Sequence, residues 1–315
     1  MKVRLIERAE PVARDRYEVE VDGKTLRLSN LDRVLYPETG FTKGDLIDFY
    51  SAISPVLIPH LAGRPLTLHR FPEGVEEPGF WEKRCSPHRP DWVRTASIWS
   101  SSNEDEIDYC VAGDEATLVW AANLAGIELH TSLATASERE SPTSVVFDLD
   151  PGEPADVIDC AGVALLIREM FSELGLETFV KTSGSKGLQL YAPLNSGATY
   201  EKTRPFAHQV AQSFEAQLPD RVVSKMKKSL RPGKVFIDWS QNAEHKTTVC
   251  VYSVRARPAP TVSTPLDWPE VEAAFESGDA AALAFTAEEV LARVERDGDL
   301  FENLLGMEQE LPDFQ

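Results

Sequence analysis

Two short apolar runs that each finish in aspartate set the tightest limit on how this chain can fold. The first, SVVFDLDPG, carries Asp148 and Asp150; the second, VFIDWSQN, carries Asp238. In an extended strand residues i and i+2 point to the same side, so Asp148 and Asp150 converge on one spot. Carboxylates held that close repel one another unless a cation stands between them, as it does in a magnesium or manganese site. Asp-x-Asp alone is equally the mark of a polar strand end or turn. A third acid closing another apolar strand shifts the balance. Three carboxylates on neighbouring strand ends suit the two-metal clamp of nucleotidyl transfer, in which one ion activates a 3′-hydroxyl and the other gathers a triphosphate.

The flanking pattern predicts α/β architecture (α+β in its segregation), with a central sheet carrying the acids and helices around it. YEVEVDGKTLRLSN reads as a hairpin turning at Asp22-Gly23. TKGDLIDFYSAISPVLIPHL reads as a helix capped by Thr42, and EATLVWAANLAGIELH as a helix running into a strand that ends at His130. EPADVIDCAGVALLIREMFSELG is an amphipathic helix with Pro154 in its first turn and Gly175 as its stop. LETFVKTSG and LQLYAP are strands followed by a helix over roughly 201 to 217, and TTVCVYSVRAR is a strand expected to pair with VFID. From Thr264 onward the tail is Ala- and Glu-rich and helical, and RPAPTVSTPLDWP, residues 257 to 269, is the one linker-like stretch. The expectation is a single module over residues 1–315.

Charge opposes a nucleic-acid partner at first sight: 32 Lys+Arg against 51 Asp+Glu give −19. A phosphate chain feels local fields over about 10 Å, so segregation matters more than the sum. Residues 221 to 234, RVVSKMKKSLRPGK, hold six bases and no acid, immediately before Asp238. A solvated face is the ordinary meaning of such a run. No apolar run approaches the roughly 18 residues of a membrane span, and the polar start is not a secretory signal. Cys85, Cys110, Cys160 and Cys250 lie far apart without a CxxC pair, which reads as four reduced thiols in a cytoplasmic protein.

TSGSKG, residues 182 to 187, lies between two strands; small residues let backbone N–H groups approach phosphate oxygens, with Ser183, Ser185 and Lys186 as further donors. An ordinary hairpin turn has the same composition. His130 is by itself as readily a satisfied core or surface residue, and Phe80-Trp81 is either core packing or a stacking platform for bases.

Taken together, LSNLDRVLYPETGFTKGDLIDFY, EATLVWAANLAGIELH, SVVFDLDPG, KTSGSKGL and KVFIDWSQNAEHKTTVCVYSVRAR resemble, in order and from about residue 25 to 300, the archaeo-eukaryotic primase superfamily. The likeness is to the polymerase domain of bacterial ligase D and its stand-alone actinobacterial relatives. The resemblance implies a primase-polymerase fold and a metal triad of Asp148, Asp150 and Asp238 binding two Mn2+ or Mg2+ ions. It implies nucleotide contacts from His130, Ser183, Lys186, Gln241 and Arg255, and places Arg231 in a mobile loop that orders the active site. Asn30, Arg33 and Lys43 would hold a 5′-phosphate across a gap, and Phe80 and Trp81 would stack on the template. Three positions depart from the family pattern: Arg33 and His69 where Lys is common, and Gln189 where His is usual.

The resemblance therefore implies a polymerase that extends ends and fills short gaps, prefers ribonucleotides, and acts with NTP or dNTP on gapped or 5′-phosphorylated DNA. Its expected partners are a separate ATP-dependent DNA ligase and an end-binding protein, with no ligase or nuclease domain attached and no membrane association. A cytoplasmic, nucleoid-associated place follows. Short-gap excision repair is the favoured setting and non-homologous end joining the alternative. A phosphohydrolase or nuclease using the same triad, and a non-catalytic DNA-end-binding module, are the readings from other classes.

Overall fold

The computed structural model describes residues 4–100 and 104–312; the ends of the polar start and of the helical tail fall outside them. The chain forms two compact units, each assembled from three stretches. The first comprises residues 1–131, 249–262 and 286–298, and the second residues 132–248, 263–285 and 299–315.

The first unit opens with β1 (Glu10–Ala13), β2 (Arg16–Val21) and β3 (Lys24–Ser29) in an antiparallel sheet. The β2–β3 turn falls on Asp22-Gly23 as expected, both with positive φ (50° and 69°), the geometry that follows strand twist in a two-residue hairpin. Beyond the short pair β4 (Val34–Tyr36) and β5 (Phe41–Thr42) comes α1 (Lys43–Leu61). Thr42 caps it: its hydroxyl accepts from the Asp45 N–H at 3.1 Å, and Asp45 accepts from the Thr42 N–H at 2.9 Å. A six-stranded sheet follows, built on β6 (Leu66–Arg70), β7 (Phe80–Glu82), β8 (Thr95–Ser100), β9 (Asp105–Cys110) and, after α2 (Glu115–Asn123), β10 (Gly126–Thr131), with residues 248–249 as its sixth strand. His130 is the penultimate residue of β10.

Four reduced thiols were expected, and the structure corrects this: Cys85 and Cys110 are disulfide-bonded, while Cys160 and Cys250 are free and buried. The bonded pair is 25 residues apart, but the segment after β7 runs beside β9, where the Cys85 N–H donates to the Asp108 carbonyl at 2.6 Å.

The second unit carries the acids. Its sheet consists of β11 (Ser144–Pro151), β12 (Phe179–Thr182), β13 (Leu188–Pro193), β14 (Val222–Val223) and β15 (Val235–Asp238), and is completed after β16 (Thr248–Val249) by β17 (Pro265–Leu266). The order is β14-β15-β11-β13-β12-β17, antiparallel except between β14 and β15, so the sheet is mixed. Val145, Phe147 and Leu149 enter a core shared with α3 (Val157–Glu173) and α4 (Tyr200–Gln217). Strand alternation sends Asp148 and Asp150 to the opposite face. The same alternation turns Leu188, Leu190, Val235 and Ile237 inward. It leaves Gln189, Phe236 and Asp238 on the face of the carboxylates.

Three local expectations are revised. Pro154 is not in the first turn of α3: it follows a cis peptide, Asp156 is the N-cap, and the helix starts at Val157. TTVCVYSVRAR is not a long strand beside β15. Only Thr248–Val249 forms a strand; the Cys250 N–H then bonds to the Leu129 carbonyl of β10, and Tyr252 takes a left-handed φ of 62°. Residues 257 to 269 are no linker, because Val262, Ser263, Thr264 and Leu266 are buried. The chain thereafter supplies α5 (Trp268–Ser277) to the second unit and α6 (Ala287–Asp297) to the first.

β15 pairs with β11 only from Asp148 onward. Upstream, the Asn242 amide takes the missing strand's place, accepting from the Val146 N–H at 2.9 Å and donating to the Val146 carbonyl at 2.7 Å. Asn242→Ala strands two buried backbone groups and should lower unfolding free energy by about 2–5 kcal/mol. Urea titration of wild type and variant checks this; a change below about 1 kcal/mol would mean that neither group depends on Asn242.

Candidate active site

Asp148 and Asp238 are direct register partners across β11 and β15, and Asp150 follows two residues on along the same face. Burial first, then the Asp150 carboxylate and that of Asp238, push the Asp148 carboxyl up to about 7, against the stabilising contact from Gln189. Gln189 Nε2 donates to Asp148 at 3.0 Å, and Gln189 Oε1 accepts from the Lys181 ammonium at 2.6 Å. Lys181 is 1% exposed and lies over the Tyr191 ring. Asp238 is held by the Ser240 hydroxyl at 2.6 Å, the Ser240 N–H at 3.0 Å and Gln241 Nε2 at 2.9 Å.

Among the described residues no three His, Cys, Asp or Glu side chains close into a metal cage. Asp148 is turned toward Gln189, and Asp238 toward Ser240 and Gln241. The residues nonetheless fit a hard divalent ion. All three donors are carboxylate oxygens on one sheet face, and burial together with their crowding raises Asp148. Asp148, Asp150 and Asp238 are the groups that would hold it.

TSGSKG is the hairpin loop between β12 and β13. Ser183 Oγ accepts from the N–H groups of Ser185 and Gly187, both at 3.2 Å, so the hydroxyl shapes the loop. A Cβ on Gly187 would come within 1.9 Å of the Leu149 carbonyl, so only glycine lets the loop close onto β11. The Lys186 ammonium is exposed and pairs with Glu153 at 2.8 Å. After β14 the basic run forms an exposed loop, residues 225 to 233, anchored at both ends. Trp239 Nε1 donates to the Ser224 carbonyl at 3.0 Å, and the Gly233 N–H to the Gly152 carbonyl at 2.8 Å. Within it the Arg231 guanidinium lies 3.7 Å from the ring centre of Phe236, the register partner of Asp150, with its Nε buried and unpartnered.

The remaining sequence candidates lie in the first unit, in three groups. His130 and Arg255 are brought together by a buried acid, Glu128, which accepts from His130 Nε2 at 2.9 Å and Arg255 Nε at 3.0 Å. Burial alone would raise the Glu128 carboxyl, but the His130 hydrogen bond and the Arg255 charge hold it far below the usual carboxylate range. Burial pulls His130 below its ordinary value, against the hydrogen bond and charge of Glu128, which raise it. Phe80 and Trp81 stand on β7, 45% and 53% exposed, and do not pack in the core. Lys43 opens α1 and is 6% exposed. Arg33 donates to the Pro72 carbonyl and pairs with Glu73, both at 2.8 Å, and Asn30 begins the turn at a φ of 52°. Glu128, Lys181 and the bridging position of Gln189 escape sequence reasoning. The one sequence signal is alternation: Lys181, Gln189 and Glu128 are polar residues inside otherwise buried strands.

The family model for the LigD primase-polymerase domain matches residues 42–301. The multifunctional non-homologous end joining DNA repair protein LigD of Mycobacterium tuberculosis is 41% identical over 285 residues, 88% of this chain and 36% of that protein. The bifunctional non-homologous end joining protein LigD of Bacillus subtilis is 31% identical over 274 residues, 87% of this chain and 43% of that one. The chain thus spans less than half the length of these curated relatives. The solved polymerase domain of Mycobacterium tuberculosis ligase D in complex with DNA superposes with a TM-score of 0.82 at 40% identity, covering 89% of this chain and 98% of that one.

Lys43 generates a pH prediction. Burial, then the charges of Arg33 and Arg70, pull its ammonium down to about 8. The folded state therefore binds fewer protons than the unfolded chain between about pH 8 and pH 10.4, and a penalty present in full below pH 8 fades as pH rises. Lys43→Met should raise stability at pH 7 by up to about 3 kcal/mol, with the gain vanishing near pH 10. Thermal melts across pH 6 to 10 check this; a pH-independent gain would assign the effect to packing.

Proposed function

This chain belongs to the family of LigD primase-polymerase domains, and from that premise we propose that it is a two-metal DNA nucleotidyltransferase that extends ends and fills short gaps bearing a 5′-phosphate. The observation that carries this reading is the register of Asp148 against Asp238, with Asp150 on the same sheet face. When bound, two Mn2+ or Mg2+ ions supply the field that acidifies the attacking 3′-hydroxyl and draws charge from the leaving pyrophosphate. The chain's own residues do the holding. Ser240 and Gln241 fix Asp238, and the Lys181–Gln189 bridge fixes Asp148. Lys186 exchanges an exposed ion pair, worth little in water, for the triphosphate. Ser183 holds the loop's shape by accepting from the Ser185 and Gly187 N–H groups, and its hydroxyl meets the nucleotide. Gln241 also meets the nucleotide, and Arg231 reorders with its loop when substrate binds.

In the first unit, His130 and Arg255 grip the nucleotide, and Phe80 and Trp81 stack on the template. Lys43, Arg33 and Asn30 receive the 5′-phosphate: a buried ammonium at a helix N-terminus is a charge awaiting an anion. Both units serve one module over residues 1–315. Ribonucleotide preference belongs to the same reading, as do a separate ATP-dependent ligase, an end-binding partner and a cytoplasmic, nucleoid-associated place. Of the two repair settings, the relatives' names favour non-homologous end joining over short-gap excision repair.

One assay separates the reading from its rivals. On a 5′-phosphorylated gapped duplex with NTP and manganese, extension supports it, shortening indicates a nuclease, and a mobility shift alone indicates an end-binding module. Asp148→Ala, Asp150→Ala and Asp238→Ala should each abolish extension while leaving the fold intact; full activity in any one removes that residue from the centre.

Insertion kinetics should favour NTP over dNTP by about threefold to a hundredfold in kcat/KM, the worth of one hydrogen bond to the 2′-hydroxyl with or without a stranded partner. A preference for dNTP would overturn the sugar assignment.

A further inference from the structure

Glu128 is a carboxylate with four hydrogen-bond donors around it. Oε1 accepts from Arg255 Nε and the Ala256 N–H, both at 3.0 Å; Oε2 accepts from His130 Nε2 at 2.9 Å and His69 Nδ1 at 3.3 Å. Four donors fill an ionised carboxylate's accepting capacity. At 5% exposure there is no water to replace a donor that leaves. A carboxylate only accepts, so His130 Nε2 carries an N–H.

His69 extends this centre toward the surface. It is the register partner of Glu128 across β6 and β10 and of Trp81 across β6 and β7. Its ring lies parallel to that of Trp81, with centroids 4.0 Å apart and planes at 7°. Trp81 also meets His130 edge-on at 4.7 Å. One contact line thus runs from the exposed Trp81 through His69 and Glu128 to Arg255, across three neighbouring strands and the chain segment that returns at 249–262.

We propose that His69 and Glu128 are positioning residues that couple Trp81 to the Arg255–His130 pair, so that the nucleotide is gripped fully only while the Trp81 ring is in place. This rests on the reading that Trp81 meets template and that His130 and Arg255 meet nucleotide. Stacking on Trp81 fixes the plane of His69, and that plane aims its N–H at Oε2. Without it the carboxylate can rotate, and Arg255 and His130 lose their common anchor. Coupling of this kind is reciprocal, so bound nucleotide also tightens binding to the template side.

The test is the nucleotide KM for single insertion at saturating gapped DNA. His69→Phe keeps a ring against Trp81 but deletes the N–H; His69→Gln keeps an N–H but deletes the ring. His69 is only half-buried, and thermal melts of both variants check that they fold. Trp81→Ala, His69→Phe and His69→Gln should each raise KM about three- to tenfold, the size of coupling between touching residues, with kcat changed less than about twofold. Adding Trp81→Ala to either His69 variant should then change KM by less than about twofold. Multiplying effects in the double variants overturn the coupling. Arg255→Ala distinguishes the two levels: a raised KM beside multiplying effects leaves the nucleotide assignment standing and sinks only the coupling. An unchanged KM sinks both.

Discussion

Burying Val145, Phe147 and Leu149 against two helices forces Asp148 and Asp150 onto one face of β11, and everything in the second unit follows from that alternation. A slip of one residue would send both carboxylates into the core and three apolar side chains out of it, so hydrophobic burial itself enforces the register. The register then brings Asp238 opposite Asp148. Charge crowding is therefore a by-product of packing. Lys181, Gln189, Ser240 and Gln241 offset it only in part, as the raised Asp148 carboxyl shows.

The polar centres differ in how their charges balance. Around Asp148 negative charge is in excess, which suits a cation. At Lys43 a buried ammonium has, among the described residues, a long contact to the Ser29 hydroxyl, at 3.4 Å, and two other cations as neighbours, which suits an anion. Glu128 is the opposite case, its four acceptor directions all filled. Imbalance marks places where a ligand completes the structure. Saturation marks a place where the protein holds its own side chains still.

Much of this was legible in the residues. The acid-ended apolar runs located the centre, Asp22-Gly23 located a hairpin, and Thr42 located a helix start, because each signal is local and has one cheap conformational solution. What escaped depends on register between distant strands. Gln189 meets Lys181 and Asp148 only because β12, β13 and β11 are neighbours. Cys85 meets Cys110 only because the chain after β7 runs beside β9. TTVCVYSVRAR misled for a different reason: its β-branched composition is that of a strand, yet one left-handed residue, Tyr252, and the pull of β10 redirect it. Proline in residues 257 to 269 suggested a linker where the chain is closely packed.

Neither unit is a continuous piece of chain. The first needs residues 249–262 and 286–298 to finish what residues 1–131 begin, and the second needs residues 299–315. During synthesis domains ordinarily fold in turn as they leave the ribosome. Here a nascent chain that has emerged as far as α2 already exposes most of the first unit's apolar strands, but its closing segments are more than a hundred residues from being made. Both units must therefore wait, incomplete, until residues 286–315 have been made. Translation and folding are out of step by construction, and a ribosome that stops early releases two unfinished cores instead of one finished domain.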